Sequence, residues 1–567
     1  MPSELDRQIQ AAVAALSKPG ELLETQSFEK DGVALPALVK APPSLAHYIG
    51  HFCMQHKDTE FLIDGDLRLT FGEAYEAARV LAGGLIANKG IEKGDRVGIG
   101  ARNSANWVVA YMAVLMAGGV ATLLNGWWHG SEFAEAIKMV GCKLVLADPK
   151  RAARLEGQDL GGAEVFVYDN FVGPRESFAQ IMEGAAAETP LPVMSGDDKA
   201  TILFTSGSTG RSKGAWSTHR AVVQGTMNYV GGTMVLLQLA TARGEAPKFP
   251  PATLMNVPLF HVTGEVPMLL QGFAMGRKLV MMRKWDAEEA MRLIEKEKIT
   301  YFTGVPLMSY EIAVHPKRGD YDLSSCTIMA SGGAPRPAEH VTKIKQGMKE
   351  GGPGIGYGLT ETNAVGCTNF SDNYIDKPDS TGTPSPPLVD LGILDDFGAP
   401  VPQGERGEVC IRSIANFEGY WNDPEATRAA ITDDLYFRTG DIGYVDEDGY
   451  LYIVDRKKDI IIRGGENIAC TEVEAAAYEH EDMAELCAFG VADDHYGEVV
   501  GMVYLPREGV DLGADELRSF LENRLAKFKV PQYLWKAEEM LPRLGTQKID
   551  RKTLRAEYNA KVAGDAA

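Results

Sequence analysis

The chain has 567 residues, which is too long for one hydrophobic core, so we expect two or more domains. Its 45% hydrophobic and 24% charged residues are ordinary for a soluble globular protein. The formal net charge of −21 argues against nucleic acid as the main partner, because a polyanion needs a basic surface to release its counterions.

The cysteines are scattered along the chain, and no two of them form a C-x-x-C pair. This spacing predicts neither a zinc site nor a disulfide framework, and it favours free thiols in a reducing cytoplasm. The opening "MPSELDRQIQ" lacks the apolar segment of a secretory signal, so we expect a cytoplasmic protein. The cysteines are Cys53, Cys142, Cys326, Cys367, Cys410, Cys470 and Cys487.

Two stretches raise the question of a membrane. Residues 3–17 place apolar side chains at helical spacing, which predicts a helix docked on the main body, with a membrane-surface helix as the alternative. Residues 107–124 carry no charge, and their 18 positions reach the lower edge of a membrane span. Because Gly118 and Gly119 interrupt them, we favour a buried helix, a turn and a buried strand. Loose membrane association stays open.

The pattern of predicted secondary structure changes near residue 396. Before it, short apolar runs alternate with segments long enough for crossover helices, which predicts parallel α/β sheets. After it, short β runs alternate with turns, and Thr471 and Glu474 match a capping box at a helix start. A small α+β domain of about 110 residues fits this last part. Predicted strands include residues 95–101, 142–148, 200–206 and 278–285.

Residues 205–214, "TSGSTGRSKG", are rich in glycine and hydroxyl side chains. Their spacing resembles the Walker A pattern, but Ser212 stands at its second glycine and Gly214 at its magnesium-binding hydroxyl, so we reject a P-loop nucleotidase. Successive backbone N–H groups can still form an anion site, to which Lys213 adds a point charge. We therefore predict a phosphate-binding loop, the alternative being an exposed turn.

A second constellation lies at residues 356–362, "GYGLTET". The Tyr357 ring could stack on a base, Thr360 could donate to a phosphate, and Glu361 could hold Mg²⁺. Taken alone, the segment is equally consistent with a tyrosine in a turn.

With these motifs the chain resembles the adenylate-forming (ANL) superfamily, and in particular its acyl-CoA synthetases of the fatty-acid–CoA ligase type. The segments "TSGSTGRSKG", "YGLTE", "YFRTGDIG", "DRKKDIIIRGGENI" and "LPRLGTQKIDR" occur in the order and spacing of that family, and the resemblance covers roughly residues 43–555. It implies an α/β fold in which a large N-terminal domain of parallel α/β sheets plus a small distorted β-barrel precedes a small mobile α+β C-terminal domain.

The resemblance implies an ATP-dependent acyl-CoA ligase that uses Mg²⁺ and coenzyme A. Such an enzyme joins a carboxylic acid to AMP with release of pyrophosphate, and coenzyme A then displaces AMP to form a thioester. The alternatives are a ligase that hands the acyl group to a separate carrier protein and a nucleotide-binding relative with an inactive site. The expected partners are small molecules and do not include nucleic acid. We expect no transmembrane span, and the sequence leaves open whether the protein forms a homodimer.

The implied domains are an N-terminal extension at residues 1–42, an AMP-binding (adenylation) domain at 43–457 and a small C-terminal domain at 458–567. Lys458 falls at the hinge between the last two. In the family the small domain rotates between the half-reactions, so that a turn carrying Gly464 and Gly465 lines the channel for the thiol of coenzyme A.

The resemblance also assigns the nucleotide site. It places Glu361 and Thr205 at the metal, and Lys548, Thr360 and Glu361 at the chemical step. Asp441 corresponds to the carboxylate that accepts both ribose hydroxyls. The ATP/AMP residues implied are Thr205, Ser206, Gly207, Ser208, Thr209, Gly210, Lys213, Gly333, Ala334, Pro335, Tyr357, Thr360, Asp441, Arg456 and Lys548.

Lys548 matches the lysine of the adenylation step, which bridges the attacking carboxylate and the α-phosphate. Without the family, it would be a solvated lysine in a polar loop. Gln547 replaces the glycine that normally precedes this lysine, so the backbone of the loop can differ.

The acyl pocket follows from "PLFHVTGE", residues 258–265. His261 stands where amino-acid-activating relatives hold an aspartate for the amine of the substrate, which argues against an amino acid. The tryptophan gate of one long-chain group is absent, and Glu265 lies in that neighbourhood. A small apolar wall suits a fatty, aryl or bulky polycyclic acid. The acyl residues implied are His261, Val262, Gly304, Val305, Gly332 and Gly358.

Overall fold

The computed structural model describes residues 2–184, 189–205, 212–333, 336, 338–348, 352–464, 466–544 and 548–565. Its α-helices are Glu4–Leu16, Leu45–Gln55, Phe71–Lys89, Ala105–Met116, Gly130–Val140, Pro149–Leu155, Pro174–Ser177, Ala179–Met182, His219–Ala242, Gln271–Ala274, Ala287–Glu297, Pro306–Val314, Ala338–Gly347, Ser371–Asp376, Pro424–Ala430, Cys470–Tyr478, Ala514–Glu522 and Arg551–Asp565. A π-helix spans Gly264–Leu270, and 3₁₀ turns span Arg318–Asp320 and Thr360–Thr362.

Two sheets form the centre of the large N-terminal part, and their inner strands run parallel because crossover helices connect them. Both faces of these strands are covered, which explains their nearly continuous apolar sequences. In spatial order the first sheet contains Gly419–Tyr420, Lys213–Thr218, Lys199–Thr205, Val120–Leu123, Arg96–Gly100, Leu144–Ala147 and Glu164–Val167. The second contains Thr383–Pro384, Gly366–Phe370, Gly352–Gly358, Ile328–Gly332, Tyr301–Gly304, Ala252–Met255, Lys278–Met281, Glu60–Asp64 and Leu67–Thr70.

The uncharged stretch at residues 107–124 belongs to the core. The helix Ala105–Met116 is buried along its whole length, Gly118 turns the chain at φ +82°, and the strand Val120–Leu123 enters the first sheet. The prediction of a buried helix, a turn and a buried strand is therefore confirmed. Among the described residues, we find no helix with both the length and the apolar character needed to cross a bilayer.

Mainly antiparallel strands follow residue 389, while Tyr533–Lys536 pairs parallel with Gly497–Pro506. A four-stranded sheet occupies the place of the predicted small barrel, and another sheet forms the centre of the C-terminal domain. The four strands are Asp390–Leu394, Gly407–Arg412, Phe437–Val445 and Leu451–Arg456. The C-terminal sheet contains Glu466–Ile468, Ile461–Arg463, Gly497–Pro506, Met483–Asp493 and Tyr533–Lys536.

The predicted capping box at Thr471 and Glu474 is wrong. The helix begins at Cys470, so its N-cap is Ala469 instead of Thr471, and alanine has no side-chain oxygen for a cap. The Thr471 hydroxyl instead donates to the carbonyl of Val454, and the Glu474 carboxylate accepts from Arg551 at 2.6 Å. Both side chains therefore bond to residues outside this helix instead of capping it.

The N-terminal extension docks on the main body, as predicted. Its helix Glu4–Leu16 has a capping box at Ser3 and buries Leu5 and Ala12. The Asp6 carboxylate accepts from the Asn373 amide at 2.8 Å and from the Tyr450 hydroxyl at 2.7 Å. A hairpin of Thr25–Lys30 and Val33–Leu38 follows the helix.

Candidate active site

Three glycines predicted for the acyl pocket end neighbouring strands of the second sheet. Gly304, Gly332 and Gly358 lie at the carboxyl edge of these strands, where α/β sheets bind ligands. A side chain on Gly358 would lie 2.1 Å from the carbonyl oxygen of Ala364, so backbone packing alone requires glycine there. Because all three residues are glycines, they place no side chains at this edge of the sheet.

A hydrogen-bonded cluster forms beside this edge. Asp441 and Arg456 are paired across the antiparallel strands, and the Arg456 Nε atom lies 3.2 Å from Asp441 Oδ1. The Tyr357 hydroxyl donates to Asp441 Oδ2 at 2.7 Å. Burial, followed by the neighbouring carboxylate, raises the pKa of Tyr357, so this hydroxyl remains a donor. A carboxylate offers about four lone pairs, so Asp441 keeps capacity for further donors such as ribose hydroxyls.

Glu361 lies in the short turn Thr360–Thr362, directly after the strand that carries Tyr357. Its Oε1 atom accepts from the Tyr420 hydroxyl at 2.8 Å, and its main-chain carbonyl accepts from Phe417 N–H at 2.8 Å. Burial raises the pKa of Glu361, and the bond from Tyr420 opposes that shift. The turn thus presents one fixed carboxyl group at the strand end.

The two ends of the predicted phosphate loop lie close to this carboxyl group. Thr205 and Lys213 face each other across antiparallel strands, and the Lys213 ammonium lies 4.8 Å from the ring centroid of Tyr420. The predicted loop residues Ser206, Gly207, Ser208, Thr209 and Gly210 lie outside the described residues, as do Ala334, Pro335, Gly465 and Gln547.

The donors around Glu361 suit Mg²⁺ that is bound together with a substrate phosphate better than they suit a metal ion whose ligands are all protein side chains. Nowhere in the described ranges do three or more His, Cys, Asp or Glu side chains form a group that could hold a metal ion. Mg²⁺ is commonly bound by one or two carboxylates together with substrate phosphates. Glu361 places one carboxyl group near Lys213 at the end of the loop, which fits that arrangement.

Lys548 reaches into the same site from the C-terminal domain. A methyl group on Gly333 would lie 3.6 Å from both Cε and Nζ of Lys548. The Lys548 carbonyl accepts from Leu544 N–H at 2.8 Å, which ties the backbone of Lys548 to that of Leu544. Burial and the Arg456 cation lower the pKa of Lys548 to about 8, while Asp441 opposes them. The ammonium therefore belongs to the cluster of Asp441 and Arg456.

His261 lies near enough to Lys548 to feel its charge. Burial and the Lys548 cation lower the pKa of His261 to about 3, so the ring is neutral. Its Nδ1 atom accepts from Thr263 N–H at 3.2 Å, which leaves the proton on Nε2. Val262 is buried next to it, and Val305 precedes the helix Pro306–Val314.

Lys458, predicted for the hinge, lies beside this cluster, since burial and then the Arg456 cation lower its pKa while Asp459 and Asp441 oppose them. Lys458 lies in the turn between the strands Leu451–Arg456 and Ile461–Arg463. Gly464 adopts φ +58° and donates its N–H to the carbonyl of Tyr496 at 2.8 Å, within its own sheet.

Sequence reasoning missed Tyr420 as the partner of Glu361. The tyrosine stands in "NFEGYWNDPEAT", a segment that the resemblance includes, but 59 positions separate it from the carboxylate. An acidic residue after a strand gives no sign of which distant hydroxyl will meet it.

Comparisons with known proteins agree with this geometry. Residues 50–421 match the AMP-binding enzyme family, and residues 472–548 match the AMP-binding enzyme C-terminal domain. A long-chain-fatty-acid–CoA ligase of Bacillus subtilis (strain 168) is 32% identical over 525 residues, covering 86% of this chain and 90% of that protein. A feruloyl-CoA synthase of an Amycolatopsis species is 32% identical over 496 residues, covering 87% and 95%.

A third relative is the 3-[(3aS,4S,7aS)-7a-methyl-1,5-dioxo-octahydro-1H-inden-4-yl]propanoyl:CoA ligase of Rhodococcus jostii (strain RHA1), 30% identical over 518 residues, covering 87% of this chain and 95% of that protein. Among solved structures, ATP-bound MatB from Rhodopseudomonas palustris has a TM-score of 0.79 at 26% identity, covering 91% of this chain and 99% of that chain. O-succinylbenzoate coenzyme A synthetase from Bacillus subtilis, in complex with ATP and magnesium ion, has a TM-score of 0.75 at 26% identity, covering 90% and 99%. The family uses ATP, Mg²⁺ and coenzyme A. The chain therefore belongs to the AMP-binding enzymes and, within the adenylate-forming superfamily, to the AMP-forming acyl-CoA ligases.

Proposed function

We propose that this acyl-CoA ligase acts on a hydrophobic carboxylic acid of the fatty, aryl or polycyclic class, and that Lys548 catalyses its adenylation. The observation that carries the proposal is the position of the Lys548 ammonium, next to Gly333 and within the charge cluster of Asp441 and Arg456. A lysine of the C-terminal domain thus meets the nucleotide side and the acyl side of one site. The relatives act, by their names, on fatty, feruloyl and polycyclic acyl groups.

In the first half-reaction a carboxylate oxygen of the acid attacks the α-phosphorus of ATP, and pyrophosphate leaves. The Lys548 ammonium stabilises the negative charge that gathers on the reacting oxygens. Asp441 accepts the ribose hydroxyls, Tyr357 stacks on the adenine, and Lys213 with the loop that precedes it holds the departing phosphates. In the second half-reaction the thiol sulfur of coenzyme A attacks the acyl carbonyl, and AMP leaves.

Glu361 is the residue that we propose for Mg²⁺, with Thr205 as a further oxygen donor. When bound, the ion would offset phosphate charge and so favour attack at phosphorus. Tyr420 fixes the rotamer of the carboxylate by donating to Oε1. Thr360, in the same turn, is proposed as a donor to the α-phosphate.

The acyl side supports an apolar acid without an amino group. His261 is neutral and buried, so it gives no anion to pair with an ammonium. The wall proposed from Val262, Gly304 and Val305 contributes small apolar groups. The free buried thiols at all cysteine positions support a reducing, cytoplasmic setting.

We further propose the domain limits 1–42, 43–457 and 458–567, with Lys458 as the hinge and Gly464 with Gly465 at the path of the thiol. Lys458 lies in the turn that links the four-stranded sheet to the C-terminal sheet, which suits a pivot.

The experiment is a panel of fatty, aryl and polycyclic acids, scored by pyrophosphate release with ATP, Mg²⁺ and coenzyme A. We expect AMP, pyrophosphate and an acyl-CoA for at least one of these classes. Activity confined to amino acids, or the formation of ADP and phosphate, would contradict the proposal.

Changing Glu361 should raise the Mg²⁺ requirement. In Glu361→Gln the metal loses a charged ligand, while the side-chain shape is kept. Tyr420→Phe removes only the donor to that ligand, for which roughly a 10- to 100-fold weaker metal affinity is typical. We expect Glu361→Gln to shift the half-saturating Mg²⁺ concentration at least as far, with partial rescue by excess Mg²⁺. Pyrophosphate exchange across a Mg²⁺ titration measures both, and an unchanged requirement in Glu361→Gln would refute the assignment.

The pH dependence of adenylation should report Lys548. Its pKa of about 8 means that the ammonium is present below that pH and is lost as the pH rises through it. We therefore expect kcat/KM for ATP in the exchange reaction to fall above about pH 8. Lys548→Arg keeps its charge throughout, so its profile should be lower but should lack this falling limb. The same limb in Lys548→Arg would assign it to another group.

A further inference from the structure

Glu265 lies one helical turn beyond His261. The His261 carbonyl accepts from Gly264 N–H at 2.8 Å and from Glu265 N–H at 3.0 Å, so residues 261 and 265 share one face of the turn. The turn continues into the π-helix Gly264–Leu270. This form is rare in proteins, and where it occurs it is often at a functional site. Glu265 thus lies one turn along from the histidine that we propose for the acyl pocket.

The carboxyl group of Glu265 is only half satisfied. The side chain is fully buried, and Oε1 accepts from the Tyr111 hydroxyl at 2.7 Å. Tyr111 belongs to the core helix Ala105–Met116 and is stacked on Trp107, so it cannot turn away. Within the part of the chain that the structure describes, Oε2 has no hydrogen-bond partner.

Such a group is costly in the core. The rest of the π-helix buries apolar residues such as Val266, Met268 and Leu269, and a leucine at position 265 would match them. A buried polar atom without a partner lowers stability, and native structures hold few of them. Burial raises the pKa of Glu265 to about 7, so near neutral pH the group can accept or donate a hydrogen bond. A ligand oxygen would complete it.

We infer that Glu265 binds a hydroxyl or ketone oxygen carried on the hydrocarbon skeleton of the acid, several bonds from its carboxylate. The inference rests on the proposed function, because it places the acyl group along the face that His261 and Glu265 share. It narrows the substrate class from hydrophobic acids in general to oxygenated ones. A site built around a substrate hydroxyl discriminates against the analogue that lacks it far more strongly than an apolar pocket discriminates between hydrocarbons.

The test uses matched pairs of acids and the full-length enzyme. One pair is a medium-chain hydroxy fatty acid and its parent fatty acid, and the other is a ketone-bearing bicyclic propanoate and its deoxygenated analogue. For each acid, kcat/KM is measured by pyrophosphate release. We expect the wild type to prefer the oxygenated member of at least one pair by about 10- to 100-fold, the range of one hydrogen bond to a charged group. The preferred pair then tells a hydroxyl from a ketone.

Glu265→Leu should abolish that preference, because leucine offers no partner to the substrate oxygen. Glu265→Gln, which keeps the volume and a polar end, should retain part of it, and it serves if the leucine variant does not fold. The ratio within a pair is the deciding quantity, since a merely structural role would lower both members equally. Equal losses, or a wild type without preference, would overturn the inference while leaving the ligase assignment intact. A wild type that releases pyrophosphate with no acid would instead overturn the proposed function and this inference with it.

Discussion

Lys548→Ala is expected to lower adenylate formation by at least about 10²–10³-fold, the loss typical of one preorganised group that stabilises charge in the transition state. The same variant should form the thioester at nearly the normal rate when acyl-AMP and coenzyme A are supplied. The asymmetry follows from position: the ammonium next to Gly333 can meet the α-phosphate, while the second half-reaction needs no charge there. Acid-dependent ATP–pyrophosphate exchange measures the first step, and thioester formation from synthetic acyl-AMP measures the second.

Lys552→Ala is the matched control. Lys552 is exposed at the start of the helix Arg551–Asp565, four residues from Lys548, and its loss should leave both half-reactions unchanged. Comparable losses of both half-reactions in Lys548→Ala would mean that this lysine supports the domain rather than the chemistry. A loss confined to the second half-reaction would reverse the assignment.

The sequence predicted the parts of this protein that local patterns determine. An uncharged run broken by Gly118 predicted a buried helix, a turn and a strand, because length and apolar composition are both local. Gly304, Gly332 and Gly358 were implied by the family resemblance, and the structure shows that each ends a strand of the parallel sheet. The nucleotide motifs were recognisable because each compresses several functional groups into a few positions.

What local patterns could not predict are partners that the fold brings together from far apart. Tyr111 and Glu265 are separated by 154 positions, and only packing of the π-helix on the core helix shows that one carboxyl oxygen is used while the other has no partner among the described residues. Thr471 and Glu474 had the spacing of a capping box, but their side chains bond to Val454 and Arg551 instead. Such competition is decided in three dimensions.

Asp441→Asn should impair both half-reactions, in contrast to Lys548→Ala. The AMP portion stays bound from the first step to the second, so the carboxylate that we propose for its ribose is needed throughout. The amide oxygen still accepts, but the bonds with two ribose hydroxyls and with Arg456 lose their charge assistance, and bonds to a charged group are roughly twice as strong as neutral ones. We expect kcat/KM for ATP to fall by about 10²–10³-fold, and kcat/KM for supplied acyl-AMP to fall to a similar extent.

Tyr357→Phe tests how much the hydrogen bond from Tyr357 to Asp441 contributes, while Asp441 itself stays in place for the ribose. It removes the 2.7 Å hydrogen bond to Asp441 but keeps the ring that we propose for the adenine, so both half-reactions should slow by roughly tenfold, the equivalent of one hydrogen bond. If Asp441→Asn impaired only adenylate formation, Asp441 would belong with Lys548 rather than with the retained nucleotide. We expect the rates of both half-reactions to fall in Asp441→Asn and only the rate of the first to fall in Lys548→Ala. One site then holds two sets of charges. A fixed set binds the part of ATP that remains, and a lysine from the C-terminal domain acts on the bond that changes.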